Sequence, residues 1–164
     1  MARLPAPLVI DAVIDPAWID ANGHVTSGAY QDLFRTGTAP LFHGVGVNEA
    51  YIRTGHSVFN RECHIRYQRE LRLGAPLQIF TWVAGLDDRS VHLAQEIRHA
   101  NEGWAAASGE YLYGHVDGRA RASSDWPPAM GDAFAQARSD GAATCPAIGF
   151  RISVRPASRF AAPA

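Results

Sequence analysis

The segment Asp20-Ala-Asn-Gly-His24 places a carboxylate, a carboxamide and an imidazole close together in the chain. A carboxylate held in a loop can attack a carbonyl carbon directly or activate a water molecule as a general base. We therefore take Asp20 as the candidate catalytic residue, with His24 to orient it or to contact a substrate. The same residues also suit an ordinary turn, in which Asp20 acts as a cap and Asn22 adopts a left-handed conformation.

A second candidate site is the polar face of a long strand. Residues 57–72 alternate between apolar and polar side chains, which predicts a strand with one wet or functional face. Glu62, a third catalytic candidate, and His64 share that face, where they could line a site opposite the Asp20 loop of a neighbouring subunit. The alternative is a solvated face with ion pairs. Arg61 and Arg69 interrupt the apolar face, so the strand is expected to bend or to reach an edge there.

Composition excludes several classes of function. The chain has 164 residues and a formal net charge of −1, with 15 basic and 16 acidic side chains. This balance argues against nucleic-acid binding and against electrostatic attachment to a membrane. The isolated Cys63 and Cys145 form neither a zinc motif nor a disulfide framework, and no His-rich helical motif is present, so we expect no metal. Glycine-rich nucleotide loops and a G-x-S-x-G nucleophile elbow are absent as well.

The elements that must position these residues can be read from periodicity. Apolar residues at helical spacing predict a helix over 26–41, with a kink or break at Pro40. Strands are predicted at 8–14, 57–72, 77–86, 91–98 and 104–116, and a short helix from 128 to about 137. Short turns between the later strands make them antiparallel neighbours. The prediction is an α+β domain, 1–137, whose curved sheet wraps around one central helix. Residues 138–164 are rich in Ala, Pro and Arg and are expected to form a loosely packed tail.

This order of elements, together with the segment Asp20-Ala-Asn-Gly-His-Val-Thr-Ser-Gly-Ala-Tyr30, resembles the 4-hydroxybenzoyl-CoA thioesterase group of the hotdog fold. The segment Phe59–Gly74, followed by His115-Val-Asp117, is similar to the betainyl-CoA thioesterases associated with carnitine dehydrogenase. The resemblance implies an acyl-CoA thioesterase with Asp20 as nucleophile or general base and betainyl-CoA as a candidate substrate. Two departures are Val-Thr-Ser after His24, where Val-Asn-Asn is frequent, and Pro40 within the central helix.

The resemblance also suggests how a CoA ester would be held. Coenzyme A would be part of the substrate, so no cofactor is expected. Arg66, Arg69 and Arg72 could bind its phosphates, and amides near Ser57 could stabilise the oxyanion. A trimethylammonium group would favour an aromatic wall. The substrate-binding candidates are Asn22, Tyr30, Ser57, Arg66 and Trp82, and the wall candidates are Trp18, Tyr30, Phe34 and Trp82.

The resemblance further implies a homodimer or homotetramer with sites at the subunit interface. The N-terminal stretch lacks the apolar core of a signal peptide, so a cytoplasmic location is expected. Two alternatives stay open. An enoyl-CoA hydratase or dehydratase of the same fold would need a wider spacing between Asp20 and His24, with Pro near the place of Gly23. A non-catalytic acyl-CoA-binding module is the other, because fold alone does not define activity.

Overall fold

The structure, a computed structural model, describes residues 3–149 and 151–154. Its centre is an antiparallel sheet with the strand order β1-β3-β4-β5-β2, and the short β6 pairs with β5. The strands are β1 (Leu8–Ala12), β2 (His56–Tyr67), β3 (Leu77–Leu86), β4 (Ser90–His99), β5 (Ala105–Asp117) and β6 (Ala122–Ser123). The helices are α1 (Ser27–Gly44), α2 (Glu49–Arg53) and α3 (Pro128–Gly141). The α+β architecture predicted from periodicity is confirmed.

The helix α1 packs against the inner face of the sheet, and its position is set by a close contact at Gly37. A Cβ atom at this position would lie 2.6 Å from Cγ2 of Ile79 and 2.9 Å from Oγ1 of Thr81. The missing side chain therefore lets the helix backbone approach β3 directly. Leu33, Phe34 and Leu41 of the same helix are almost completely buried, so the apolar stripe predicted from sequence faces the core.

Pro40 neither breaks the helix nor ends it, and α1 continues to Gly44. A proline inside a helix removes one backbone hydrogen bond and costs about 3 kcal/mol in isolation. Burial of Leu41 and Phe42 in the turn after it, at about 1.5–3 kcal/mol per side chain, offsets that cost. The predicted break at Pro40 is therefore wrong because tertiary packing overrides the local preference.

The strand β2 forms one edge of the sheet and pairs with β5 on its other side. Its pairing register shifts between Asn60 and Glu62, which is the bend predicted at Arg61. The strand ends at Tyr67, five residues before the predicted limit, and the chain then runs irregularly past Arg69. Because β5 covers only one side of β2, the other side keeps unpaired backbone groups.

The segment after β6 is more ordered than the sequence pattern indicated. Helix α3 runs to Gly141, so the predicted boundary at 137 falls inside it. Beyond the helix, residues 142–149 and 151–154 cross the outer face of the sheet, where Ile152 is buried. The described part of the predicted tail is therefore packed onto the domain, because side chains of the sheet supply contacts that periodicity does not reveal. The rest of the tail, from 155 to 164, lies outside the described residues.

Candidate active site

The loop that carries Asp20 is closed by its own backbone. The amide of Asp20 donates to the carbonyl of His24 at 2.9 Å, and the amide of Gly23 donates to the carbonyl of Asp20 at 3.0 Å. Gly23 has a φ of 79°, in the left-handed region that glycine adopts without strain. Ile19 and Val25 form a bridge at the base of the loop. The tight loop therefore presents the Asp20 side chain immediately before α1.

The carboxylate of Asp20 accepts three hydrogen bonds from within the loop. Oδ1 accepts from the amides of Asn22 at 2.9 Å and of His24 at 3.1 Å, and Oδ2 accepts from Nδ2 of Asn22 at 3.3 Å. The hydrogen bond from the His24 amide is the largest cause that lowers the pKa of Asp20, and the bonds from Asn22 act in the same direction. The group is therefore ionised at neutral pH, which both a nucleophile and a general base require.

The imidazole of His24 does not contact Asp20 but reaches away from it. Its Nε2 atom lies 3.0 Å from Oε2 of Glu70, whose other oxygen accepts from Arg72 at 2.8 Å. The imidazole of His24 thus connects the Asp20 loop to the turn after β2. Glu70 was not among the residues singled out in the sequence, where it looked like one more polar position of the long strand.

The first turn of α1 lies between this loop and the end of β2. The cap residue Thr26 makes no side-chain hydrogen bond to the helix, and the first amides of a helix have no carbonyl partner within it. Tyr67 at the end of β2 donates its hydroxyl to the carbonyl of Ser27 at 3.3 Å, and its ring packs edge-on against Tyr30 at 5.2 Å. Tyr30 is 4% exposed, and it lines a cavity of about 330 Å³ together with Ser27 and Tyr67. The helix start and the strand end are therefore in direct contact, and His24 joins the loop to the turn that follows the strand.

Several predicted site residues lie elsewhere in the chain's structure. Glu62 and His64 pair with each other at 2.8 Å on the outer face of β2, the face opposite α1. Arg66 follows on that face and lines a groove of about 380 Å³ together with Glu110 of β5. Within one chain these three residues are not brought to the Asp20 loop, because strand alternation turns them away from the inner face. Arg69, another arginine predicted to bind the CoA phosphates, stacks on Trp104, with its Cζ atom 4.2 Å from the ring centroid.

Trp82 is also on the outer face of the sheet. Its Nε1 donates to Oγ1 of Thr144 at 3.1 Å, and Gly141 at the end of α3 packs on its ring. Its neighbour Thr81 faces α1, so alternation along β3 places Trp82 on the other side. Trp82 is 2% exposed. It is therefore covered by the C-terminal segment and does not lie near Asp20.

Ser57 sits at the beginning of β2, whereas the Asp20 loop contacts the region beyond its end. The ten steps from Ser57 to Tyr67 correspond to about 33 Å at roughly 3.3 Å per residue. One chain alone thus does not bring the two residues together. Among the other predicted wall residues, Phe34 is fully buried in the core and Trp18 is partly buried beside it.

A groove between α1 and the strands β2 and β5 contains aromatic residues that the sequence did not single out. It measures about 460 Å³, within the range of small-molecule sites, and its floor includes Phe42, Tyr111 and Tyr113. On the sequence these residues are ordinary apolar positions of a helix and a strand. The only available signal is the alternation of Tyr111 and Tyr113 on β5, and this pattern indicates burial without indicating a cavity.

Two negative findings concern the described residues alone. In residues 3–149 and 151–154, no group of three or more His, Cys, Asp or Glu side chains is placed to hold a metal ion. Over the same ranges, no helix is both long and apolar enough to cross a membrane.

Comparison with known proteins agrees with this geometry. The profile of the thioesterase-like superfamily matches residues 14–134, and the chain belongs to that family. The family assignment and the helix-in-sheet architecture confirm the thioesterase-like family and the hotdog fold predicted from the sequence. In structure the chain is similar to a hypothetical protein of Staphylococcus aureus solved in complex with CoA. The TM-score is 0.80 at 18% identity, covering 94% of this chain and 99% of the other. A second similar structure is a 1,4-dihydroxy-2-naphthoyl-CoA thioesterase from Synechocystis, with a TM-score of 0.73 at 12% identity, covering 79% of this chain and 96% of that one.

Two named relatives are nearer in sequence. The L-carnitine dehydrogenase/betainyl-CoA thioesterase of Rhizobium meliloti is 34% identical over 119 residues, which cover 73% of this chain and 24% of that protein. A betainyl-CoA thioesterase of Pseudomonas aeruginosa is 30% identical over 102 residues, covering 62% of this chain and 64% of the relative. The matched region thus spans about a quarter of the length of the two-function relative and just under two thirds of the single-function one.

Proposed function

We propose that this chain is an acyl-CoA thioesterase that hydrolyses betainyl-CoA, with Asp20 as the catalytic carboxylate. The observation that carries the proposal is the Asp20 loop, in which backbone amides hold an ionised, solvent-accessible carboxylate directly before a helix start. The carboxylate either attacks the thioester carbonyl or removes a proton from the attacking water. In the first route the CoA thiolate leaves as a mixed anhydride forms on Asp20, and water then hydrolyses the anhydride to the free acid. In the second, water adds to the carbonyl carbon and the thiolate leaves, taking up the proton from Asp20.

The start of α1 would stabilise the oxyanion that forms on the carbonyl. The amide of Ala29 donates to the carbonyl of Thr26 at 3.1 Å, so the amides of Ser27 and Gly28 would be the ones to meet the oxyanion. The partial positive charge at a helix start favours a negative oxygen there. The absence of a side-chain cap at Thr26 supports this assignment, because no hydroxyl competes for those amides. An oxyanion donor in Gly55–Val58 would have to come from a second copy of the chain.

A second copy is supported by the exposed edge of β2. Phe59 and Tyr67, near the two ends of that strand, are 58% and 51% exposed, which is unusual for large rings in a chain that functions alone. Antiparallel pairing of two β2 edges would place residues 57–60 of one copy beside Tyr67 of the other. A homodimer or homotetramer of this kind would join Ser57 and Asn60 to the Asp20 loop of the neighbouring copy, and a cytoplasmic location suits such an enzyme.

The acyl group is proposed from the relatives. Both proteins described above are named betainyl-CoA thioesterases, one of them joined to an L-carnitine dehydrogenase. A role in the breakdown of carnitine follows if this chain shares their substrate. Coenzyme A would enter and leave as part of substrate and product.

The test is thiol release from a panel of CoA esters by the wild-type chain and by Asp20→Asn. The panel contains betainyl-CoA, 4-hydroxybenzoyl-CoA and straight-chain esters. Asparagine keeps an oxygen for the loop amides, so the fold should persist while kcat falls about 10²–10⁴-fold. Asp11→Asn, an exposed carboxylate on β1, is the matched control and should keep full activity.

Unchanged turnover in Asp20→Asn would remove this carboxylate from the mechanism. If the wild-type chain releases no thiol from any ester, hydration of an enoyl-CoA and simple binding of a CoA ester become the functions to assay. Preference for an aryl ester would keep the thioesterase assignment and discard betainyl-CoA.

A further inference from the structure

The groove between α1 and β5 has a floor made of aromatic rings held by rigid elements. Phe42 meets Tyr113 edge-on, with 4.9 Å between ring centroids and 71° between planes. Tyr113 is stacked beside Tyr111 at 6.2 Å and 22°. Tyr111 is supported from behind by Phe34, whose centroid is 5.6 Å away. We name these floor residues, Phe42, Tyr111 and Tyr113, the aromatic floor.

The hydroxyl of Tyr111 is the second observation. Tyr111 is 4% exposed and lines the groove, yet its Oη atom has no hydrogen-bond partner among the described residues. Burial raises the pKa of this tyrosine, so the hydroxyl stays neutral. A buried polar atom without a partner is costly in a folded chain. Because the Oη atom is itself buried, Tyr111 offers its ring rather than its hydroxyl to the groove.

Charges at the groove are balanced before any ligand enters. Arg35 donates to Asp32 at 3.2 Å, and both side chains lie at its mouth. Because this guanidinium is already paired, the groove offers no strong attraction to an anionic acyl group. A quaternary ammonium has no N–H donor and does not need a carboxylate partner, and it is attracted by the faces of aromatic rings.

Given the substrate proposed above, on which this step rests, we propose that the aromatic floor binds the trimethylammonium head of the acyl group and sets specificity for it. Asn60 of β2 lies at the edge of the same groove. If β2 pairs with β2 of a second copy, the Asp20 loop of that copy faces this edge. The ammonium nitrogen of a betainyl group is one methylene from the thioester carbonyl, so a head bound on the aromatic floor would keep the reacting carbon at this same edge, beside the Asp20 loop of the second copy.

The experiment compares betainyl-CoA with 3,3-dimethylbutyryl-CoA, in which carbon replaces the charged nitrogen at nearly the same shape. The measured quantity is the ratio of kcat/KM for the two esters in each enzyme. This ratio does not depend on the folded fraction, so a partly unstable variant remains informative. The variants are Phe42→Leu and Tyr113→Leu, and the matched control is Phe80→Leu, a ring on the outer face of β3.

We expect the wild-type chain and Phe80→Leu to favour the cationic ester, and each floor variant to lower the ratio about fivefold to thirtyfold, the range that corresponds to a cation–π contact. Tyr111→Phe keeps the ring and should retain most of the preference. Equal use of both esters by the wild-type chain would overturn the inference and leave the thioesterase function intact. An unchanged ratio in both floor variants would also overturn it. No thiol from either ester would refute the proposed function, and the inference with it.

Discussion

Replacing Glu110 by Gln tests what holds the C-terminal segment on the sheet. The carboxylate of Glu110, on β5, is 4% exposed and faces three donors. Its oxygens lie 2.6 Å from the amide of Arg151, 3.0 Å from the amide of Ile152 and 3.0 Å from Nε2 of His92. All three are N–H groups if His92 is protonated on Nε2, the tautomer that this geometry requires.

The size of the effect follows from those contacts. Glutamine has one acceptor oxygen and one NH₂ group, so at least one of the three donors faces another donor. One buried unsatisfied group costs about 1–3 kcal/mol, and the bonds that remain lose the gain from an ionised acceptor, about 1 kcal/mol each. We therefore expect Glu110→Gln to lower the free energy of unfolding by about 2–4 kcal/mol.

The matched control is Glu62→Gln. Glu62 also contacts a histidine, His64, at 2.8 Å, but its side chain is 50% exposed. An exposed pair of this kind contributes about 0–1 kcal/mol. Urea unfolding followed by tryptophan fluorescence at pH 7.5 gives both values. Trypsin cleavage after Arg151 should also accelerate in Glu110→Gln alone, because its carboxylate anchors that backbone. A difference below about 0.5 kcal/mol between the variants, with equal cleavage, would refute the anchoring role.

Three further predictions concern stability and activity. Gly37→Ala should lower the free energy of unfolding by about 1–3 kcal/mol, because the added Cβ would crowd β3. Gly28→Ala, at the start of the same helix, has open space around the added Cβ and should be neutral or slightly stabilising. Thermal unfolding of the two variants checks this difference. Burial lowers the pKa values of His92 and His115 below 6.5, so the folded chain takes up protons less readily than the unfolded chain. Stability should therefore be fully present above about pH 6.5 and decline as the pH falls below it, which a series of melting temperatures from pH 8 to 5 would reveal as a slope; a flat series would contradict the burial argument. The hydrogen bonds that lower the pKa of Asp20 should keep this carboxylate ionised, so kcat of the thioesterase reaction should not depend on it down to about pH 5. The profile is measured also in His24→Gln, which removes the nearby imidazole. A loss of kcat centred near pH 6 that persists in this variant would rule out the ionisation state assigned to Asp20.

Periodicity was sufficient for the main elements of the fold. The alternation in residues 57–72 identified β2 and its bend, and the helical stripe identified α1 and the face that it buries. These features are local, since each depends on side chains a few residues apart. The long-range contacts were not predictable in the same way. The continuation of α1 through Pro40 depends on packing partners that are distant in sequence.

The geometry of the Asp20 loop could be predicted because its contacts are also local. Asp20, Asn22 and His24 contact one another within five residues, so the turn pattern and the bonding pattern coincide. The partner of the His24 imidazole could not be inferred. Glu70 lies 46 residues further on, and only the way in which the chain leaves β2 brings it within 3.0 Å.

Strand alternation shows which residues share a face, but it does not show which face meets the substrate. After the bulge on β2 the inner face is the one that the sequence pattern makes apolar, with Cys63 opposite Tyr111. Before the bulge the faces are exchanged, so Asn60, predicted on the polar face, lies opposite Tyr113 and lines the aromatic groove. The polar face, which looked more suited to chemistry, carries Glu62 and His64 and is turned outward. In this fold the helix occupies the inner face, so an acyl group bound as proposed in the aromatic groove would lie between apolar surfaces. Polar residues on the outer face then serve to fix the C-terminal segment, as Glu110 does. A search for such a site should therefore begin with aromatic residues beside the helix rather than with titratable pairs on the sheet.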